Sequence, residues 1–427
     1  MNIQTSAYKI LLKVILEKGH CNVLLANMMQ DKDLPMFEKE LIEKLVFGSL
    51  KNQIYLDYIL NQIWLRLQPS VAIPFELTIF LWTVLYEIYF LEITDRQLFT
   101  KDTLNIVKTI NKDMVHISSG LLELCFAEFR SEFNLPKAKR STIRLIKHSY
   151  PQWLYNLVKS QFSTNIALQL MKDNLKQPLI SFRVNTLKTT VQHVLTNAHY
   201  QTFGFQPSKI VSDGIISNKS IFNTKLYQEG NIIKQDQASM LVSHMLDPKP
   251  YDEVLDMCAG IGSKTVHIAA LMANKGTIIA TDINANRLKI AHQYLIKLGV
   301  TNTNIIPCDA IIFNFNQKFD KILIDAPSTA SGLIKRKPEV KLINWTKEQI
   351  DNLIIVQTQL LEKAYQQLKS QGMLVYVTCT FNMEENQNQI ATFIKKFPKM
   401  TIIEERQIFG FHEGTDGFYI CKLKKEV

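Results

Sequence analysis

The sequence predicts a multidomain chain with an all-α N-terminal domain, a small α+β linker domain, and a C-terminal α/β domain on a Rossmann-like parallel sheet. Three observations carry this. Apolar residues recur at helical spacing through the first third, strand-loop-helix units repeat after Asp252, and 427 residues are enough for two or three separate cores. An apolar share of 46% with 21% charged residues marks a chain that folds.

From Ser6 to about Phe129 the helical spacing is seen in Leu77, Leu81, Val84, Leu85 and Ile88, with hardly any strand-like alternation. The most apolar run, LTIFLWTVLYEIYFLEI from Leu77, is broken by Glu87 and Glu92 and reads as a buried helix, not a membrane span. PKAKRSTIRLIKHSYPQWL from Pro136 mixes proline, basic residues and aromatics and reads as an exposed connector. Domains are therefore expected at 1–140, 141–248 and 249–427. In the middle one, ISFRVNTLK reads as a strand carrying Arg183 and Asn185, both assigned to RNA contact.

After Asp252 the segments EVLDM, KTVHIAALMAN, TIIATDI, ANRLKIAHQYLIKLG, TNIIPCDA and KILIDAP alternate strand and helix. Such sheets bind ligands beyond the carboxyl ends of their strands. The residues expected there are Asp256, Asp282, Asp309 and Asp325, with Cys379 ending the later strand MLVYVTC.

A net charge of +10 favours polyanionic partners. The N-terminus has no signal-peptide pattern, and the six cysteines are scattered without zinc spacing. A reducing cytoplasm, no membrane and no metal are expected. The loop DMCAGIGSKT has Gly260 and Gly262 between strand and helix, so its backbone can approach a ligand closely. It lacks the glycines of a P-loop or a dinucleotide fingerprint. Asp282 is placed to accept from ribose hydroxyls, and Asp309 could reach an adenine amino group. These features fit a nucleoside cofactor without a pyrophosphate, of which S-adenosylmethionine is the common one.

HSYPQWL, ISFRVNTLK, QEGNIIKQDQAS, VLDMCAGIGSKT, LIDAPSTASGLIKRKPEVK, LVYVTCTFNMEEN and EGTDGFYICKL occur in one order along nearly the whole chain. In this the sequence resembles the bacterial RNA cytosine-5 methyltransferases of 16S ribosomal RNA, the RsmB (Sun/Fmu) group, and its helical N-terminus is similar to their NusB-like RNA-binding domain. The resemblance implies a cofactor loop of Cys258, Ala259, Gly260, Ile261, Gly262, Ser263 and Lys264, with Asp282 and Asp309 on ribose and adenine. It implies Cys379 as nucleophile and Asp325 beside the target base and methyl donor. A thiol suits this chemistry, because attack at C6 breaks the aromaticity of the ring and makes C5 nucleophilic.

The family writes CAAPGGK where this chain has Gly260, Ile261, Gly262 and Ser263. It writes DAPC, whose cysteine is thought to assist breakdown of the adduct, where this chain has Ser328. Lys335, Arg336, Lys337 and Lys341, directly after DAPSTASGL, are expected to touch phosphates of the RNA. The expectation is a cytoplasmic monomer methylating a cytosine of 16S rRNA. The alternatives are another RNA, such as tRNA or 23S rRNA, and a degenerate RNA-binding protein that has lost turnover.

Overall fold

The computed structural model describes residues 2–427 except 20, 32, 69–70, 92, 129–138, 218, 220 and 223. Glu92, Phe129 and the 136–138 start of the connector lie outside the described residues. The chain forms two compact units, one of residues 1–176 with 334–344 and the other of 177–333 with 345–427.

The first unit is helical, with Ile3–Leu16, Met36–Leu67, Phe75–Phe90, Arg96–Ile110 and Val115–Glu128 as its main helices. Leu77, Leu81, Val84, Leu85 and Ile88 are all buried in its core, as their spacing predicts. The stretch read as an exposed connector is instead helical where it is described, in Arg140–Lys147 and the start of Gln152–Gln161, and Thr164–Asp173 follows it. These helices belong to the first unit because Leu145, Tyr150, Leu154, Val158 and Met171 are buried. Among the described residues no helix is long and apolar enough to cross a membrane.

The second unit holds two sheets. The smaller comprises β1 (Ile180–Val184), β2 (Gln206–Pro207), β3 (Gly214–Ser217) and β4 (Ile232–Lys234), ordered β2-β3-β1-β4 and antiparallel. The larger comprises β5 (Glu253–Asp256), β6 (Thr277–Asp282), β7 (Thr303–Pro307), β8 (Phe319–Asp325), β9 (Leu368–Thr378), β10 (Met400–Ile408) and β11 (Phe418–Lys425), ordered β10-β11-β9-β8-β5-β6-β7. The expected parallel pairing holds from β7 to β9, whereas β10 and β11 add antiparallel neighbours, so the sheet is mixed. Its central strands are buried and apolar at β5, the end of β8 and the end of β9, with a core cluster on each face, as parallel strands require, whereas β7 holds no buried residue and β10 is largely exposed. Strand order reverses between β5 and β8, so a crevice opens at their carboxyl ends.

The smaller sheet is tied to the helices of the larger-sheet domain through a buried polar cluster. Asp213 precedes β3, and its main-chain oxygen accepts from Val184 N–H on β1 at 2.8 Å. Its carboxylate lies 2.7 Å from His244 Nε2 on the Gln237–Leu246 helix and 2.7 Å from His267 Nε2 on the Ser263–Leu271 helix. These three residues, distant in sequence, bring potential ligand atoms within 4.8 Å of one another, a convergence that spacing arguments miss. As hydrogen-bonded, each imidazole donates to the carboxylate. The buried Arg183 guanidinium acts electrostatically on both Asp213 and His267, which disfavours a further cation. Burial, then Arg183, pushes His267 down to about 3 from 6.5, so it is neutral.

A folded-state pKa depressed below the unfolded one means stability is full above pH 6.5 and falls as pH drops towards 3. The His267 contribution should cost up to about 1.4 kcal/mol per pH unit across that window. Urea midpoints of wild type and His267→Gln should therefore converge on acidification. Taking the difference between the two cancels the opposing Asp256 and Glu87 contributions, both carboxyls being pushed up by burial to about 7.

Candidate active site

The loop after β5 enters the Ser263–Leu271 helix through Gly260 and Gly262, with φ of 59° and 82°. Both are left-handed values that side chains with a Cβ rarely take. Asp282, ending β6, holds this loop: its Oδ2 accepts from Gly260 N–H at 2.8 Å and lies 3.2 Å from Arg287, while Oδ1 accepts from Asn284 N–H at 2.9 Å. Oδ1 is the less loaded oxygen and keeps a lone pair for a ligand hydroxyl. Asp309, two residues past β7, is half-buried, and its Oδ1 accepts from Ile311 N–H at 2.9 Å, a turn contact. Asp256, ending β5, is buried under the loop, bonded to Thr265 Oγ1 at 2.7 Å. Burial also holds its carboxyl at about 7.

Lys264, expected among the cofactor contacts, is paired with Asp325, itself an expected contact. Its Nζ lies 2.7 Å from Asp325 Oδ2 at the end of β8 and 5.7 Å from the Phe418 ring centroid. The ammonium is nearly buried, and Asp325 is about a third exposed. Spacing alone could not reveal this pair, because it joins the start of the Ser263–Leu271 helix to the end of a strand 61 residues on.

β8 and β9 run parallel, with Asp325 beside Val377, so the DAPS loop meets the TCT segment. Ser328 Oγ stands 3.5 Å from Cys379 Sγ. Cys379 is half-buried between Thr378 and Thr380, which are fully buried. The reason for the flanking threonines is structural. Thr378 Oγ1 donates to Asn386 Oδ1 at 2.5 Å, and Thr380 Oγ1 is 2.7 Å from Thr329 Oγ1 and 2.9 Å from Ser331 Oγ. At the centre lies the buried carboxylate of Glu385. It accepts from Thr329 N–H at 2.9 Å, Thr329 Oγ1 at 2.6 Å, Gln357 Nε2 at 3.2 Å and Asn382 Nδ2 at 3.2 Å. Gly332 N–H donates to the Cys379 carbonyl at 2.9 Å. A Cβ on Gly332 would stand 2.1 Å from the Gly417 carbonyl oxygen, so only glycine allows this approach. Glu385 was legible only as the acid after TCTFN; its inward direction was not.

The other thiols differ. Burial, then the negative charges of Asp256, Asp325 and Asp282, raises Cys258 well above the ordinary thiol range, and burial with Asp309 raises Cys308. Neither is suited to act as a thiolate.

Several expected RNA contacts are instead structural. Arg183 is fully buried, its Nε donating to Gln235 Oε1 at 2.8 Å. Asn185, also fully buried, donates to the carbonyls of Gly230 and Leu298, each at 2.9 Å, and ties two loops together. The basic run after the DAPS loop packs into the helical unit. Lys335 is buried against Asp173 at 2.9 Å, and Lys341 donates to the Lys51 and Ser149 carbonyls, its ammonium pushed by burial down to about 7. A cation needed for those internal bonds cannot also meet a phosphate. Arg336 and Lys337 alone of the run are half-buried and keep some access to solvent.

Residues 243–424 match the family described as 16S rRNA methyltransferase RsmB/F, residues 150–221 the RsmF/B-like ferredoxin-like domain, and residues 1–116 the NusB family. The chain is 29% identical to the probable ribosomal RNA small subunit methyltransferase B of Bacillus subtilis, over 100% of this chain and 99% of that protein. It is 33% identical to the ribosomal RNA small subunit methyltransferase F of Vibrio cholerae, over 57% of each. A solved methyltransferase homolog from Pyrococcus horikoshii is 30% identical, covering 67% of this chain and 100% of its own, with a TM-score of 0.61. The structure of PH0851, at 24% identity, covers 100% of this chain and 99% of its own with a TM-score of 0.83, a likeness of fold along the full length. Since the helical, ferredoxin-like and α/β parts are all matched in order, the chain belongs to the 16S rRNA methyltransferase RsmB/F family.

Proposed function

We propose that this protein uses S-adenosylmethionine to methylate C5 of a cytosine in small-subunit ribosomal RNA through a covalent Cys379 adduct. The observation that carries the reading is the meeting of the Ser328–Cys379 pair and the Lys264–Asp325 ion pair at the neighbouring ends of β8 and β9. The names of the relatives, which specify small-subunit ribosomal RNA, support the substrate class.

The site suits a nucleoside cofactor. Glycine at 260 lets the Arg287 guanidinium lie close against the loop, where a Cβ would stand 2.2 Å from it, and Asp282 Oδ1 keeps a lone pair that can take a ribose hydroxyl. Asp309 would take the adenine amino group. The bound cofactor supplies an electrophilic methyl group on a sulfonium.

Cys379 as thiolate attacks C6, and the electrons of the C5–C6 double bond pass into the ring towards N3. Lys264 Nζ donates to Asp325 at 2.7 Å, and this pair can hydrogen-bond to N3 as charge develops there. C5 then takes the methyl group. Loss of the C5 proton to a base restores the double bond and expels the Cys379 thiolate. Ser328 stands beside that sulfur, and a hydroxyl without a strong neighbouring base is a poor proton acceptor. Release of the adduct is therefore slow in this chain.

Cys379→Ala should abolish methyl transfer to 16S rRNA while leaving cofactor affinity within a few-fold, read by tritium incorporation and calorimetry. Persistent turnover would remove Cys379 as nucleophile. Asp282→Asn should weaken cofactor binding by about 1.5–3 kcal/mol, the range for hydrogen bonds to a charged group. With wild type, a protein–RNA species should survive denaturing electrophoresis, vanish in Cys379→Ala and diminish in Ser328→Cys. Fast multiple turnover without a trapped species would refute slow release. Failure of Ser328→Cys to turn over with both ligands bound would favour a binding protein without activity.

A further inference from the structure

Between positions 133 and 172 the chain has no Asp or Glu, although acids number 39 in 427 residues, about one in eleven. The same stretch includes Lys139, Arg140, Arg144, Lys147, Lys159 and Lys172. A solvated helix face ordinarily mixes both signs, which lowers self-repulsion. This one does not.

In the Arg140–Lys147 helix, positions 140, 144 and 147 fall on one side at i, i+4 and i+7 spacing. All three side chains are exposed, whereas Leu145, on the other side, is buried. Together they span about 10 Å of helix axis. Lys172, exposed on the Thr164–Asp173 helix, acts on the same surroundings: after burial, it is Lys172, Arg144 and Lys147 that lower the pKa of half-buried His148. Among the described residues none of Lys139, Arg140, Arg144, Lys147 and Lys172 makes an ion pair. The first acid beyond the stretch, Asp173, is buried and engaged by Lys335 at 2.9 Å and Lys176 at 3.3 Å.

The patch is firmly held. The helix ends with Tyr150 N–H bonded to the Leu145 carbonyl and Ser149 N–H to that of Ile146, around Ser149 at φ 46°, a Schellman-type close. Ser149 Oγ accepts from Ile54 N–H at 2.9 Å, and its carbonyl accepts from Lys341 at 3.1 Å. A cationic row carried on a fixed helix is suited to a polyanion whose charges are also regularly spaced.

We infer that the exposed face formed by Arg140, Arg144 and Lys147, with Lys139 and Lys172 beside it, is a docking surface for the phosphate backbone of RNA. The inference rests on the proposed RNA substrate and extends it to a place on the helical unit. RNA is favoured over an anionic membrane because the apolar side of this helix is spent on the protein core, leaving nothing to insert between lipids.

The test uses full-length protein and protein-free 16S rRNA, with affinity measured across a KCl series. Replacing all three residues (R140Q, R144Q and K147Q) should weaken binding by at least about tenfold at low salt. It should also lower the slope of log affinity against log salt by roughly 2, at 0.7–0.9 per lost phosphate contact. R140K with R144K should keep the wild-type slope, which excludes misfolding as the cause, and cofactor affinity should be unchanged in both. An unchanged affinity and salt slope in the triple variant would overturn the inference. So would loss of binding to phosphatidylserine vesicles with RNA binding intact, which would point to a membrane. Because Cys379 is untouched in these variants, failure of the methylation reading in Cys379→Ala would leave this result standing on its own, and the converse also holds.

Discussion

A carboxylate buried without water is costly unless several donors converge on it, and Glu385 meets that requirement from two different loops. Thr329 reaches it from the DAPS loop, Asn382 from the TCT segment and Gln357 from the long Lys347–Gln367 helix. Neither loop can shift alone without stranding a buried charge. Because the loops are locked together there, Ser328 and Cys379 are held in register at the surface of the crevice. Tyr376 OH, bonded to the Glu385 carbonyl at 2.8 Å, ties the same point to the sheet interior. The Cys379 sulfur is thus held in place by a bonded network that spans both loops and the sheet interior.

Charge is used in two distinct ways in this chain. Arg183, Lys335 and Lys341 are drawn inside and bonded to Gln235, Asp173 and main-chain carbonyls, where they join segments far apart in sequence. Arg140, Arg144, Lys147 and Lys172 stay on the surface. In sequence the two sets look alike. What separates them is whether a buried acceptor lies within reach, and that depends on neighbours contributed by other elements. The same distinction applies to the acids: Asp256 is sealed beneath the loop of Gly260 and Gly262, while Asp325, paired with Lys264, remains accessible.

The order of domains, the helical periodicity of the first unit and the strand ends of the second were legible because they follow from local pattern. Leu77 to Ile88 face the core, since a 3.6-residue period leaves few other solutions, and Asp282 and Asp325 end their strands where apolar runs stop. The antiparallel pairing of β10 and β11 was not legible, because edge pairing depends on which strand the closing hairpin meets. The helical nature of residues 140–173 was hidden by the proline and basic residues that begin the stretch.

The sequence by itself determined the fold class and the set of strand-end residues, because both are encoded in short-range spacing, and its ordered motifs carried the resemblance to the family. Only the tertiary structure decided that Lys264 pairs with Asp325, that Thr378 and Thr380 are supports for Cys379, and that Arg183, Asn185, Lys335 and Lys341 are internal fasteners. The direction of a polar side chain follows the lowest-cost way of satisfying its hydrogen bonds. The partners that set that cost come from segments as far apart as Lys51 and Lys341, whose proximity no local pattern records.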